Sequence, residues 1–144
     1  LTSLRKEGIT ILVSTPYMDE ASLCNRVALI QKGNIMRVNT PNGLLESFEK
    51  TILSIKGKNL GERTNELRTI SGVEDVYSFG ETFHLLLNKK NAKIDLPEGI
   101  ESKEVTANIE DVFIYLMKQH YLFLKMVFWL LHPLRYYWQK RVHV

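Results

Sequence analysis

The sequence predicts an α/β segment over residues 1–49 followed by a small α+β domain, roughly ferredoxin-like, over 50–118, with a basic aromatic tail over 119–144. Three observations carry this. A β-branched apolar run, Ile9, Ile11, Leu12 and Val13, stops at Ser14-Thr15 and leads into an acidic-headed helix, the pattern of a strand covered on both faces that turns into a helix. From Thr51 onward the hydrophobic period changes to alternation and then gives elements in the order β-α-β-β-β-α. At Lys118 the composition changes abruptly: residues 1–118 hold 15 Lys/Arg and 16 Asp/Glu, whereas 119–144 hold Lys125, Arg135, Lys140 and Arg141 with no acid.

The elements follow in chain order. Residues 1–7 read as the last turns of a helix stopped by Gly8, and 9–13 as the buried strand. A helix over 17–25 carries Asp19 and Glu20 at its electropositive start, where carboxylates are favoured. Val27–Gln31 and 35–39 flank Lys32-Gly33-Asn34 as a β-hairpin. Thr40-Pro41 combines a capping hydroxyl with a proline at the first helical position, and that helix is expected to reach Glu49.

In the second unit, Ile52, Ser54 and Lys56 alternate with Leu53 and Ile55, the pattern of a strand with one wet face. Residues 59–70 read as a helix with Leu60, Leu67 and Ile70 apolar. Val73–Phe79 and Thr82–Leu87 pair around Gly80-Glu81. Residues 88–99 read as a polar loop, and Glu101–Val105 as a short strand. Asn108 caps a last helix, Asp111 reaches back three residues later, and Ile109, Val112, Phe113, Leu116 and Met117 form its apolar face.

At 44% hydrophobic and 24% charged over 144 residues, the composition is that of a globular protein. The lone Cys24 forms no intrachain disulfide and reads as a buried apolar residue, which fits a reducing compartment. The chain begins with Leu1 and shows no signal peptide, so it is expected to start inside a longer gene product. The net charge of +3 comes from the tail. The rest has no basic excess to neutralise phosphates, and nucleic acid is not an expected partner.

With these elements placed, a family resemblance is legible. GITILVST, then YMDEASLCNRVALI, then QKGNIMRVNTPNG resemble the end of the P-loop ATPase core of ATP-binding cassette (ABC) transporters: last core strand, post-switch helix and next strand, and the hairpin leading out. VTANIEDVFIYLM at 105–117 is similar to the closing segment of ATP-binding subunits of ABC-2-type exporters, which often end in a small accessory domain. The likeness is specific at 9–43 and 108–117 and loose between. The resemblance implies ATP and Mg as cofactors of the intact protein, and a transmembrane permease subunit and a second ATP-binding cassette as partners. It also implies a peripheral position on the cytoplasmic face of the plasma membrane.

It places Ser14, Thr15 and Pro16 at the switch, near the γ-phosphate of a nucleotide held by residues this chain lacks. No G-x-x-x-x-G-K-[ST] loop, Leu-Ser-Gly-Gly signature or aspartate-then-glutamate strand occurs in it, so the chain reads as the C-terminal third of a subunit and is not expected to hydrolyse ATP alone. No catalytic or metal-binding residue is assigned.

The family has a histidine where this chain has Pro16, which offers neither a side-chain donor nor a backbone N–H. One reading is local, Thr15-Pro16 as a helix start like Thr40-Pro41; the other is a degenerate catalytic site. The other candidates have plainer readings. Asp19 and Glu20 diverge by about 100° on a helix and serve helix-end electrostatics better than acid–base chemistry. His84 lies in a strand pattern and reads as structural. His120, His132 and His143 are spaced 12 and 11 apart, unlike common metal patterns.

The run 121–131, eleven residues with Lys125 inside it, is too short to span a membrane. It reads as an interfacial helix, as a helix packed on the accessory domain, or as an extension from a shifted reading frame. The last is favoured because the resemblance stops near Lys118. The alternative for the whole chain is a non-enzymatic regulatory or interaction module over 51–118.

Overall fold

The computed structural model describes residues 7–88 and 94–121. Part of the 88–99 loop and the tail beyond Tyr121, with His132 and His143, lie outside the described residues. Helix α1 (Met18–Ser22) is followed by a hairpin of β1 (Val27–Gln31) and β2 (Asn34–Asn39), then α2 (Pro41–Glu46). Strand β3 (Thr51–Lys56), helix α3 (Leu60–Arg68), the hairpin β4 (Val73–Phe79) and β5 (Thr82–Leu87), and β6 (Glu101–Val105) come next. A last helix, α4, covers 109–121.

The strands form a two-stranded sheet, β1-β2, and a four-stranded sheet in the order β4-β5-β3-β6. Every neighbouring pair is antiparallel. Strands β3 and β4 therefore run parallel on either side of β5, joined by α3 as the crossover. In the first hairpin, Lys32 and Gly33 both take positive φ, 48° and 77°. Such a two-residue turn twists with its strands, and glycine meets the second position without a Cβ penalty. In the second hairpin Gly80 holds the first position of the two-residue turn, at φ 54°.

Two apolar cores result. The first lies between α3 and one face of the four-stranded sheet: Ile55, Leu60, Leu67, Val76, Leu85 and Leu87, with Leu53 and Phe83 packed against them. The second joins the β1-β2 hairpin and α2 to α4, through Val27, Leu29, Leu44, Ile109 and Val112, with Met18, Ala21, Cys24 and Leu116 at its margin. Cys24 is thus half-buried on the second core, its Sγ 3.6 Å from the Glu20 carbonyl oxygen.

Both strong cap signals form. The Thr40 hydroxyl accepts from the Gly43 N–H at 3.0 Å, with Pro41 in the first turn. At α4 the capping box is reciprocal. The Asn108 N–H donates to Asp111 Oδ2 at 2.9 Å, and the Asp111 N–H donates to Asn108 Oδ1 at 3.0 Å.

Four expectations need correction. Residues 9–13 form no strand, and Leu12 is 98% exposed. A β-strand exists through pairing with neighbours, and no partner strand lies beside this run among the described residues. Helix α1 is five residues long, shorter than the expected 17–25, with no side-chain cap from Tyr17 and a C-cap at Leu23. Helix α2 stops at Glu46, its C-cap Ser47 already turning the chain toward β3. The face of β3 read as wet is open only at Lys56, since Ile52 is buried and Ser54 half-buried. The strand lies between β5 and β6, and α4 comes over the face opposite the first core.

Candidate functional site

Ser14, Thr15 and Pro16 occupy an irregular segment leading into α1. Ser14 is exposed and Thr15 half-buried. The Thr15 hydroxyl accepts from the Tyr17 N–H at 3.0 Å, a local side-chain turn rather than a helix cap. The helix opens at Met18 with Tyr17 as its N-cap, so the parallel with Thr40-Pro41 fails. Pro16 lies outside the helix and lines a shallow, open hollow with Tyr17, Met18, Asp19 and, from α4, Glu110, Phe113, Ile114 and Met117. The structure therefore brings Pro16 and the start of α1 against the last helix, a pairing the sequence did not indicate.

The hollow's charged members, Asp19 and Glu110, are both carboxylates, and a carboxylate pair repels phosphate. Its lining holds no lysine or arginine. Among the described residues, no group of three or more His, Cys, Asp or Glu side chains is placed to hold a metal ion. These residues do not by themselves fit a nucleotide and its magnesium, and they support no reaction step on their own. Asp19 and Glu20 are both exposed in the first turn of α1.

A buried polar cluster lies elsewhere, around the start of α4. Asp111 is fully buried. Its Oδ1 accepts from the Tyr77 hydroxyl on β4 at 2.8 Å and lies 2.8 Å from His84 Nδ1 on β5, while Oδ2 caps its own helix. A buried carboxylate is tolerable only when its lone pairs are satisfied in this way. Phe79 stacks on the His84 ring, centroids 4.1 Å apart. Burial and the neighbouring Asp111 charge push the Tyr77 phenol well above its ordinary range.

Two turns further along α4, Lys118 pairs with Asp75, which also meets Arg68 at 3.3 Å. Burial lowers the Lys118 pKa, the Arg68 charge adds to that, and Glu74 opposes it. Asp111 was legible as a cap residue from its spacing to Asn108. Its partners on β4 and β5 were not, because only the fold brings residues 77 and 84 to 111.

No family model matches the chain. Curated proteins do. It is 31% identical over 121 residues to the Nod factor export ATP-binding protein I of Burkholderia thailandensis, an alignment covering 81% of this chain and 39% of that protein. It is 30% identical over 122 residues to the probable multidrug ABC transporter ATP-binding protein YbhF of Escherichia coli, covering 79% of this chain and 21% of the relative. A shorter stretch of 65 residues is 35% identical to ABC transporter G family member 20 of Dictyostelium discoideum, covering 45% of this chain and 9% of that protein. The chain thus spans about two fifths of the length of the first of these relatives. By sequence, the chain is a homologue of the ATP-binding proteins of ABC transporters.

Proposed function

We propose that this chain is the C-terminal portion of the ATP-binding subunit of an ABC-2-type exporter, whose intact form couples ATP binding and hydrolysis to export across a membrane. Residues 1–49 close the ATPase core, 50–118 form a roughly ferredoxin-like accessory domain, and 119–144 are a tail. ATP and Mg are held by parts of the subunit outside this chain. The subunit works with a transmembrane permease and a second cassette on the cytoplasmic face of the plasma membrane. No helix among the described residues is long and apolar enough to cross a membrane, which fits a peripheral role.

The observation that carries this reading is the bare apolar run at 9–13. Ile9, Leu12 and Val13 are all exposed, although β-branched and leucine side chains in such a run belong in a covered sheet. A sheet supplied by the rest of an ATPase core accounts for it, and Ser14, Thr15 and Pro16 then stand where that strand ends, the position at which α/β folds gather ligands.

The test is to express the complete gene product with its permease in membrane vesicles and measure Mg-dependent ATP binding and hydrolysis. Nucleotide binding is the expected result, and its absence would overturn the reading. In the same complex, restoring the family's residue by Pro16→His is expected to raise steady-state turnover. An unchanged rate would remove the degenerate-site reading and leave Pro16 as a conformational residue. The sheet's own core favours the second reading, a non-enzymatic regulatory or interaction module over 51–118. A complete product that binds no nucleotide would support it.

A further inference from the structure

Helix α4 presents different sides to different parts of the molecule. Ile109, Val112 and Leu116 pack into the second core beside Met18, Ala21 and Cys24 of the α1 region. Glu110, Phe113, Ile114 and Met117 face Pro16–Asp19 across the hollow. Asp111 and Lys118, seven residues apart and so on one side of the helix, reach the four-stranded sheet through Tyr77, His84 and Asp75.

The two attachments differ in kind. Apolar packing at interior density passes a displacement on to its neighbours, whereas a buried carboxylate with its lone pairs filled fixes one register, because any shift leaves it unsatisfied.

We propose that α4 is a coupling strut between the switch segment and the four-stranded sheet, with Asp111 as the joint that sets its register. A change of position at residues 16–19 is passed through α4 to β4 and β5, and a change at β4 and β5 biases residues 16–19 in return. Such coupling is reciprocal. Asp111, Tyr77 and His84 are positioning residues in this arrangement, acting on the switch through the helix. The inference rests on the reading of residues 14–16 as a switch for what is transmitted. The coupling itself is a property of this chain without nucleotide.

Amide hydrogen exchange on the full 144-residue chain tests it. Asp111→Asn keeps the side-chain shape and removes the charge. It is expected to speed exchange at the amides of residues 21–24 and 109–116 by about tenfold, within the usual range of intersite coupling. Amides 69 and 70, at the end of α3 across the sheet, should change less than about twofold. In return, Met18→Ala is expected to speed exchange at residues 84–86 by a comparable factor.

Faster exchange confined to 109–116, with 21–24 unchanged, overturns the proposal, as does an equal rise at 69 and 70, which marks general loosening. Should Asp111→Asn fail to fold, Tyr77→Phe removes a single donor and is expected to act in the same direction more weakly. No change at 21–24 in that variant also overturns it. Failure of the complete gene product to bind nucleotide would sink the proposed function and leave the exchange result standing.

Discussion

Leu12 and Leu85 carry identical side chains in opposite surroundings, and truncating each to alanine gives opposite outcomes. Leu85 is 0% exposed, opposite Leu53 on β3 and Val76 on β4. Leu12 is 98% exposed. Leu→Ala deletes three carbons, and at about 0.8 kcal/mol per buried carbon the transfer loss is roughly 2.4 kcal/mol. The residual cavity beside β3 and β4 raises the expected cost for Leu85→Ala to about 3–4 kcal/mol. Leu12→Ala should lie within about 0.5 kcal/mol of zero. With a urea slope of about 1.5 kcal/mol per molar, Leu85→Ala lowers the unfolding midpoint by roughly 2 M, while Leu12→Ala leaves it in place. Urea titration followed by circular dichroism reads both. Should Leu85→Ala prove too unstable to fold, Leu85→Val gives a smaller loss in the same direction, about 1 kcal/mol. A cost above about 1 kcal/mol for Leu12→Ala in this chain would refute the exposed placement, and a cost below about 1.5 kcal/mol for Leu85→Ala would refute the packed first core. In the complete gene product the proposed function reverses the Leu12 result, which should then cost about 2 kcal/mol or more, because the strand would be covered.

Three further outcomes are expected. Thr40→Ala removes the hydroxyl that caps α2 and should destabilise by about 1 kcal/mol, read as a lower urea midpoint, with Thr40→Ser recovering most of it. Gly33→Ala meets no atom within 4 Å but must hold φ at +77°, so backbone strain alone should cost about 1–2 kcal/mol. Above about pH 10 the Tyr77 phenol ionises in the unfolded chain and stays protonated in the folded one. The folded state then binds more protons, and stability falls as pH rises, by at most about 1.4 kcal/mol per pH unit, reduced because the ring is partly exposed. Tyr77→Phe abolishes that component. Unfolding titrations at about pH 9 and about pH 11 should therefore show a steeper loss in the parent than in the variant, and parallel losses would refute it.

Features set by neighbours in sequence were legible. The Thr40-Pro41 start, the Asn108–Asp111 box and both hairpins formed where spacing and turn residues put them, because each is decided within a few residues. The apolar positions of α3, Leu60 and Leu67, were also correct, since helical period alone selects them. What depended on distant partners was not legible. The run at 9–13 carries the composition of a covered strand, but composition cannot supply the strands that cover it. The alternation in β3 marked Ile52 and Ser54 as a solvent face, but α4 arrives there from more than fifty residues away in sequence. His84 was readable as a strand histidine of structural use, whereas its bond to Asp111 was not, because 27 residues separate them. The shallow hollow at Pro16 was hidden for the same reason, as half of its wall comes from α4.

The second core has a consequence for the order in which the molecule is assembled. Its members come from residues 18–48 and again from 109–116, with the whole four-stranded sheet threaded between them. During synthesis Val27, Leu29 and Leu44 leave the ribosome before Ile109 and Val112, and their covering from that side waits until the last helix has emerged. The central sheet can close first on its own side chains, drawing the two distant halves together as it does so. The earlier-made half of this core thus finds shelter from water only when the later half arrives, and until then it is what a chaperone would meet.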